Sequence, residues 1–505
     1  MEELAPEGRL NYVVLVLYLG AMVGVGLYFA RRQKNARDFF LAGNRMPWIV
    51  VAMSVFASIT SAVSFMGVPG IVYRENVSIL VGIAMLPVVS PLIILLFFPF
   101  YRRLNVTTSY EYVLRRFGPS ARYAVSGLFV LARLGWLGTI IYAPALAFSA
   151  VTGFDMWISI IVMGALGTFY TALGGIEAVI RTDVIQFVVM VGGAIWVAVA
   201  LAIEVPGGVP AILQTAADTG HLNLYEWRPS LTEMTVGAVM VSYFFNLLHD
   251  YGVDQVTVQR LLSSKDYRSM AWATVTNSLI TLAVMTLLAF IGLGLFAYYT
   301  VRPEGLPEGV SDDRIFPYFM VTALPAGIAS FVVSGFFAAA MSGVDSGINS
   351  VSTVLVSDFI RPSLRRPLSD KAELALARGM TLLLGVLSTG LAFFASSLGS
   401  IMRASQAFLG LFSGPVLALF LLGVLTRRGT FGGWCAGVGV AIPLVLYVQR
   451  YTAVHFIYYF PLSFLVCFGV GYLASFAGKK RAPQGLTAWD LWRESANGGD
   501  ARRLE

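Results

Sequence analysis

Apolar runs long enough to cross a bilayer recur along the whole chain, separated by short polar segments that hold most of the basic residues. About 18 or more such residues span a hydrocarbon core of about 30 Å. The pattern predicts spans at Leu10–Ala30, Met46–Tyr73 and Ser78–Tyr101, then at about 121–149, 154–174 and 177–203. Further spans are expected at Glu233–Leu262 and at about 269–297, 319–358, 379–398, 401–425, 430–450 and 455–476. The total is about thirteen helices, so the expected fold class is an all-α polytopic membrane protein. The polar stretch leading to Ser120 predicts an interfacial helix, and 204–232 an external loop. Basic clusters at Arg31, Arg32, Lys34 and Arg37, at Arg102 and Arg103, at Arg260, Lys265 and Arg268, at Arg361–Arg378 and at Arg427 and Arg428 all fall on one side. Basic loops mark the cytoplasm, which predicts an outside N-terminus and a cytoplasmic C-terminus in the cell membrane.

Two spans are irregular. In Met46–Tyr73, Ser54, Ser58, Thr60, Ser61 and Ser64 crowd one run, and Gly67, Pro69 and Gly70 follow. A break in a membrane helix is tolerated only where the freed backbone faces protein, water or a ligand. Released carbonyls and hydroxyls can hold a small cation; small residues also serve close helix packing. The second irregular span, Glu233–Leu262, contains His249, Asp250, Gly252 and Asp254 in its inner half. With the first span and the last two set aside, these are the first and sixth of ten. Broken helices in matching positions predict an inverted repeat of five plus five helices with its site at the midplane. The expected units are an extra helix and loop (1–45), a first repeat (46–203), the external loop (204–232), a second repeat (233–425), two C-terminal helices (426–476) and a cytoplasmic tail (477–505).

Composition narrows the class. Of 505 residues, 57% are hydrophobic and 12% charged, against about 25% charged in soluble proteins. The net charge of +7 resides in short loops, so it does not indicate nucleic-acid binding. Cys435 and Cys467 lie inside apolar runs and His221, His249 and His455 are scattered, which argues against a disulfide framework or a zinc site. The first span is too long for a signal-peptide core and lacks a basic leader. No nucleophile–base set appears in the spans, so no enzyme is expected.

Arg133, Asp183 and Asp345 stand out as charges within apolar spans. Such a charge costs several kcal/mol unless paired, and marks a functional hypothesis. A guanidinium at 133 is shaped to hold a carboxylate by two hydrogen bonds; the alternative is that it pairs with a buried acid or snorkels. An aspartate here can hold a cation, cap a helix or pair with an arginine such as Arg181.

Several segments carry a resemblance. FYTALGGIEAVIRTDVIQ (Phe169 to Gln186) resembles the signature of the sodium:solute symporter family. FFLAGNRMPW (Phe39 to Trp48), YGVDQVTVQR (Tyr251 to Arg260) and AAAMSGVDSGINSVSTVLVSDF (Ala338 to Phe359) follow in family order. IIYAPALAFSAVTG (Ile140 to Gly153) is most similar to the iodide, monocarboxylate and vitamin branch. The resemblance covers about residues 10 to 475 and implies a leucine-transporter-like fold with sodium-driven alternating access. Some relatives use the fold as the input of a kinase-linked sensor. A chain ending about 30 residues past its last span speaks against that here.

The resemblance also implies sites. The shared sodium site maps to Ala57 and Thr60 at the first break and to Ala339 and Ser342 on the eighth core helix. Oxygen ligands suit such a hard cation. Gly343 stands where the family usually has a second hydroxyl. A second sodium site maps to Asp183, Asp345 and Ser346, with Asp345 in place of a common hydroxyl. Substrate is expected beside the first break, at Ser61, Ser64, Phe65, Trp136, Tyr243, Asn246, Ser405 and Gln406. Sialic acid carriers of the family bind the substrate carboxylate with an arginine in the region of Arg133. The reading is a sodium-coupled importer of a small carboxylate-bearing solute, acting as a monomer or weak oligomer in the bilayer. The alternative is a symporter of a neutral sugar or amino acid.

Overall fold

The structure is a computed structural model. It describes residues 17, 18, 20–22, 24–29, 35–152, 154–306, 312–324, 328–395, 401–478 and 482–496. Among these the chain is helical, with no strand beyond an isolated bridge of Met46 with Ser264. Among the described residues, seven helices are long and apolar enough to span a membrane, or eight if one bent pair is counted as a single span. About half of the expected first span lies outside the described residues; the described part of Gly20–Phe29 within it is helical.

In chain order the elements are α1 (Ala36–Leu41), α2 (Trp48–Ile59), α3 (Ala62–Arg74), α4 (Ile79–Leu104), α5 (Tyr110–Phe117), α6 (Pro119–Thr152) and α7 (Met156–Glu204). Then come α8 (Gly208–Asp218), α9 (Val236–Gly252), α10 (Gln255–Leu262), α11 (Tyr267–Val301), α12 (Asp312–Thr322) and α13 (Ile328–Val354). The chain closes with α14 (Asp370–Ala395), α15 (Ile401–Leu425), α16 (Phe431–Tyr451), α17 (Tyr459–Ser475) and α18 (Ala488–Ala496).

Both expected breaks are present. α2 and α3 meet at 62° across Thr60 and Ser61. The Ser61 hydroxyl accepts from the Ser64 amide, capping α3, as short hydroxyl side chains do when they compete with the helix ladder. The break therefore sits at the hydroxyl cluster, and Pro69 is carried inside α3. α9 ends at Gly252, and the Asp254 carboxylate caps α10 by accepting from the Val256 amide at 2.9 Å.

Other boundaries differ from expectation. α7 is one run of 49 residues, about 74 Å at 1.5 Å per residue, too long for one crossing. It bends at Gly175, where φ is +59° and a Cβ would lie 2.7 Å from the Phe39 carbonyl oxygen; this position requires glycine. The bend restores the two expected spans. The single span expected at 319–358 is instead two elements, α12 and α13. The external loop contains a helix, α8, whose apolar Ile212 and Ala216 are buried. The polar stretch leading to Ser120 contains a helix, α5.

The helices pack in two groups. α2 and α3 pack on α11, and α9 packs on α4; α6, α7, α13 and α14 pack on one another. The groups meet where α2 and α10 lie against α7 and α13. One crossing in the second group is reciprocal. A Cβ on Gly164 of α7 would lie 2.1 Å from the Thr389 hydroxyl of α14, and one on Gly385 the same distance from Thr168. Each threonine hydroxyl donates to its own glycine's carbonyl, at 2.6 and 2.7 Å. Small residues four apart let membrane helices approach closely.

Candidate functional site

The break at Thr60 prepares oxygen ligands. In a continuous helix the Ser61 amide would donate to the Ala57 carbonyl; here it turns to Ile59 at 3.0 Å. The Ala57 carbonyl loses its in-helix donor. Ala57, Thr60, Ala339 and Ser342 are all buried, and α2 packs directly on α13. Gly343 faces elsewhere: a Cβ there would meet Ile140 at 3.2 Å and the Trp136 ring at 3.6 Å, both on α6.

Ser342 joins the two expected sodium sets. Its hydroxyl donates to one Asp183 oxygen at 2.5 Å, and Ser54 of α2 donates to the other at 2.5 Å. A donating hydroxyl keeps its lone pairs, so Ser342 can hold a cation on its other side. Asp183 also pairs with Arg260, whose Nη2 lies 3.1 Å away; both residues are fully buried. The Arg260 guanidinium also donates to Ser54 at 3.0 Å, to the Val256 carbonyl at 3.0 Å and to Ser346. Asp345 lies beside this network, accepting from Tyr170 at 2.6 Å and Ser346 at 3.2 Å. Arg181, the arginine nearest Asp183 in sequence, instead stacks over Phe29 at 6.0 Å.

Sequence reasoning missed Arg260 and Tyr170. Arg260 reads as the basic end of a span because Lys265 and Arg268 follow it. The available signal was that Leu261, Leu262, Ser263 and Ser264 separate it from them, with two leucines directly after it. In the structure every residue of α10 is buried. Gln255 accepts from the Ser109 amide at 2.9 Å, and Gln259 donates to the Phe40 carbonyl at 2.8 Å and to Asn349 and Thr353 at 2.9 Å.

The expected substrate residues fall in separate places. Ser61 and Ser64 form the cap at the break, and Phe65 packs on Phe316 at 5.8 Å. Tyr243 of α9 lies against Gly82 of α4, and Asn246 donates to Ser242 in its own helix at 2.9 Å. The side chains of Ser405 and Gln406 lie outside the described residues, although α15 carries both positions. Arg133 and Trp136 come together, the guanidinium 4.6 Å from the ring centroid. Arg133 Nη2 also donates to Asp254 at 2.6 Å. This pair lines a small cavity of about 10 Å³ with Tyr110, Phe129, His249 and Ser413, room for about one water molecule.

Residues 39–440 match the profile of the Sodium:solute symporter family. The chain belongs to that family. Among its members the chain is 34% identical to the sodium/sialic acid symporter NanT of Aliivibrio fischeri over 93% of each chain. It is 32% identical to the human sodium-coupled monocarboxylate transporter 1, over 87% of this chain and 74% of that one. A solved structure of a Na+-coupled sialic acid symporter, substrate-bound and outward-open with a novel Na+ site, matches at TM-score 0.88 and 31% identity. That match covers 94% of this chain and 98% of the other. A nucleobase-cation-symport-1 family transporter, Mhp1, shares the fold at TM-score 0.55 and 14% identity. The family is one of membrane-spanning transporters, and no catalytic family is indicated.

Proposed function

We propose that the chain is a sodium-coupled symporter that imports a small carboxylate-bearing solute by alternating access. The sialic acid and monocarboxylate carried by its named relatives set the class of candidates. The observation that carries the reading is the buried network where α2 and α10 meet α7 and α13. Asp183, Asp345 and Arg260 bring two carboxyl groups and one guanidinium into a region with no exposure to solvent. Both carboxyls can stay ionised there only if a further cation enters; otherwise one takes up a proton. One sodium ion is assigned to Ala57, Thr60, Ala339 and Ser342, and a second cation to the place beside Asp183, Asp345 and Ser346. Arg133, over Trp136, is the assigned receptor of the substrate carboxylate. The five-plus-five repeat supports alternating access. Gly164-Ala-Leu-Gly-Thr168 and Gly385-Val-Leu-Ser-Thr389 share the pattern G-x-L-x-T, and they stand in the fourth and ninth core helices, equivalent places in the two proposed halves. The N-terminus is placed outside and the C-terminus in the cytoplasm.

A second reading has one observation in its favour. With Asp254 bound to it, Arg133 is neutralised, and such a site suits an uncharged sugar or amino acid. Proteoliposome uptake of labelled N-acetylneuraminate, pyruvate, glucose and proline separates the two. Accumulation of a carboxylate under an inward sodium gradient is expected. Equal uptake with potassium on both sides would remove the sodium coupling, and uptake of glucose or proline alone would select the second reading.

A further inference from the structure

Asp254 lies between α9 and α10 and divides its two oxygens between two tasks. Oδ1 accepts from the Val256 amide and starts α10; Oδ2 accepts from Arg133 of α6 at 2.6 Å. The contact therefore crosses from the α9 side of the molecule to the α6 side. It is a one-point contact. A guanidinium carries five N–H donors and binds a carboxylate best through two of them. The Arg133 side chain keeps 12% of its surface exposed and borders the small cavity, with the Tyr110, His249 and Ser413 side chains around it.

We propose that Asp254 is a built-in substitute for the cargo's carboxylate. It holds Arg133 when no substrate is bound, and an arriving carboxylate displaces it, which releases the N-terminus of α10 from α6. The inference rests on Arg133 being the carboxylate receptor. The exchange replaces one carboxylate by another, so the guanidinium keeps an anion, while the displaced Asp254 carboxylate, 3% exposed, gives up its cation; that cost keeps the exchange reversible. After displacement Asp254 retains its bond to the Val256 amide, so α10 keeps its cap while losing its tie to α6. Because α10 is buried along its whole length and grips α1, α13 and the segment before α5 through Gln255 and Gln259, freeing its first turn is a step toward moving the entire segment. Substrate occupancy and the closure of the two helix groups are then linked through one side chain.

Asp254→Asn separates the charge from the cap, since asparagine caps as well as aspartate. With the competitor removed, the apparent affinity for the carboxylate tightens, because an internal ligand lowers affinity by the fraction of receptors it occupies; a KM at least about threefold lower is expected. The maximal rate falls, because the empty carrier loses the contact that lets it return. The measurements are uptake of labelled N-acetylneuraminate and pyruvate by proteoliposomes, and melting of the detergent-purified chain with rising acetate. Acetate stabilises Asp254→Asn in a dose-dependent way, stabilises the parent only at several-fold higher concentration, and loses its effect when Arg133→Gln is added. If Arg133→Gln carries the carboxylate with the parent's KM, the receptor assignment fails and the displacement fails with it. If Arg133→Gln loses the carboxylate while Asp254→Asn binds no tighter, the displacement alone is wrong. Should neither labelled probe be carried, acetate decides: no stabilisation of Asp254→Asn overturns the proposal.

Discussion

Two arginine–aspartate pairs tie the ends of α10 to its neighbours, and they are built differently. At one end Arg260 and Asp183 are both wholly enclosed; Asp183 accepts from two hydroxyls and the guanidinium, and Arg260 donates to two hydroxyls and a carbonyl besides. At the other end Arg133 and Asp254 share a single contact beside a cavity, with an aromatic ring under the guanidinium. A pair whose guanidinium donors are occupied has none to offer an anion and much to lose when broken; only carboxylate lone pairs, shared with Asp345 beside it, are left there for a cation. A pair with spare donors is poised for exchange. The same two residue types thus serve as a fixed post at one end of an eight-residue helix and as a catch at the other.

The largest effect is expected at the fixed post. Arg260→Gln leaves Asp183 and Asp345 together without their cation. Removing one partner of a buried pair costs about 3–5 kcal/mol, so the melting temperature and the folded yield should fall sharply. Adding Asp183→Asn removes the unmatched charge and should restore part of the stability. If Arg260→Gln melts like the parent, the network is not a structural post and the comparison collapses.

Arg133→Gln comes next. The fold should survive it better, because Asp254 still caps α10. The carboxylate should lose its receptor, and losing charge-assisted hydrogen bonds worth about 1.5–3 kcal/mol raises KM by roughly 10- to 100-fold. The check is the ratio of effects: Arg133→Gln should lower uptake affinity far more than melting temperature, and Arg260→Gln should move melting first. The reverse order would exchange the two roles.

How much of this was readable in advance depended on whether the signal was local. Long apolar runs are a local property, so most spans were found within a few residues, and the hydroxyl cluster before Thr60 marked its own break. The split into α12 and α13 was missed because apolar character continues through both. α8 was missed because Gly and Pro at its start read as loop, although Ile212 and Ala216 lie four apart on one face. Asp183, Asp345 and Arg133 were conspicuous as charges in apolar surroundings. Their partners were not: Arg260 is 77 residues from Asp183 and Asp254 is 121 from Arg133. Arg260 also matched a rule that assigns basic residues at span ends to the cytoplasm, and only packing shows that it turns inward.

The smallest effect concerns the hydroxyls that reach Asp183. Ser54 and Ser342 each donate to it at 2.5 Å, one per oxygen, and both are fully buried. As hydrogen bonds to the same carboxylate they are nearly equivalent, and replacing either by alanine should cost stability on the order of 1–2 kcal/mol. They differ in what else they face. Ser54 also accepts from Arg260 at 3.0 Å, so its oxygen is spent within the post. Ser342 has no such second donor among the described contacts, and it belongs with Ala57 and Thr60 in the assigned sodium site. Ser342→Ala should therefore raise the sodium concentration for half-maximal uptake by roughly five- to tenfold, the equivalent of about 1–1.4 kcal/mol. Ser54→Ala should move it much less, although the two variants melt at similar temperatures. Sodium activation curves for both, read beside their melting curves, test the assignment directly. Equal shifts in sodium activation would mean that both serines act only through Asp183, and that Ser342 is part of the post rather than a ligand.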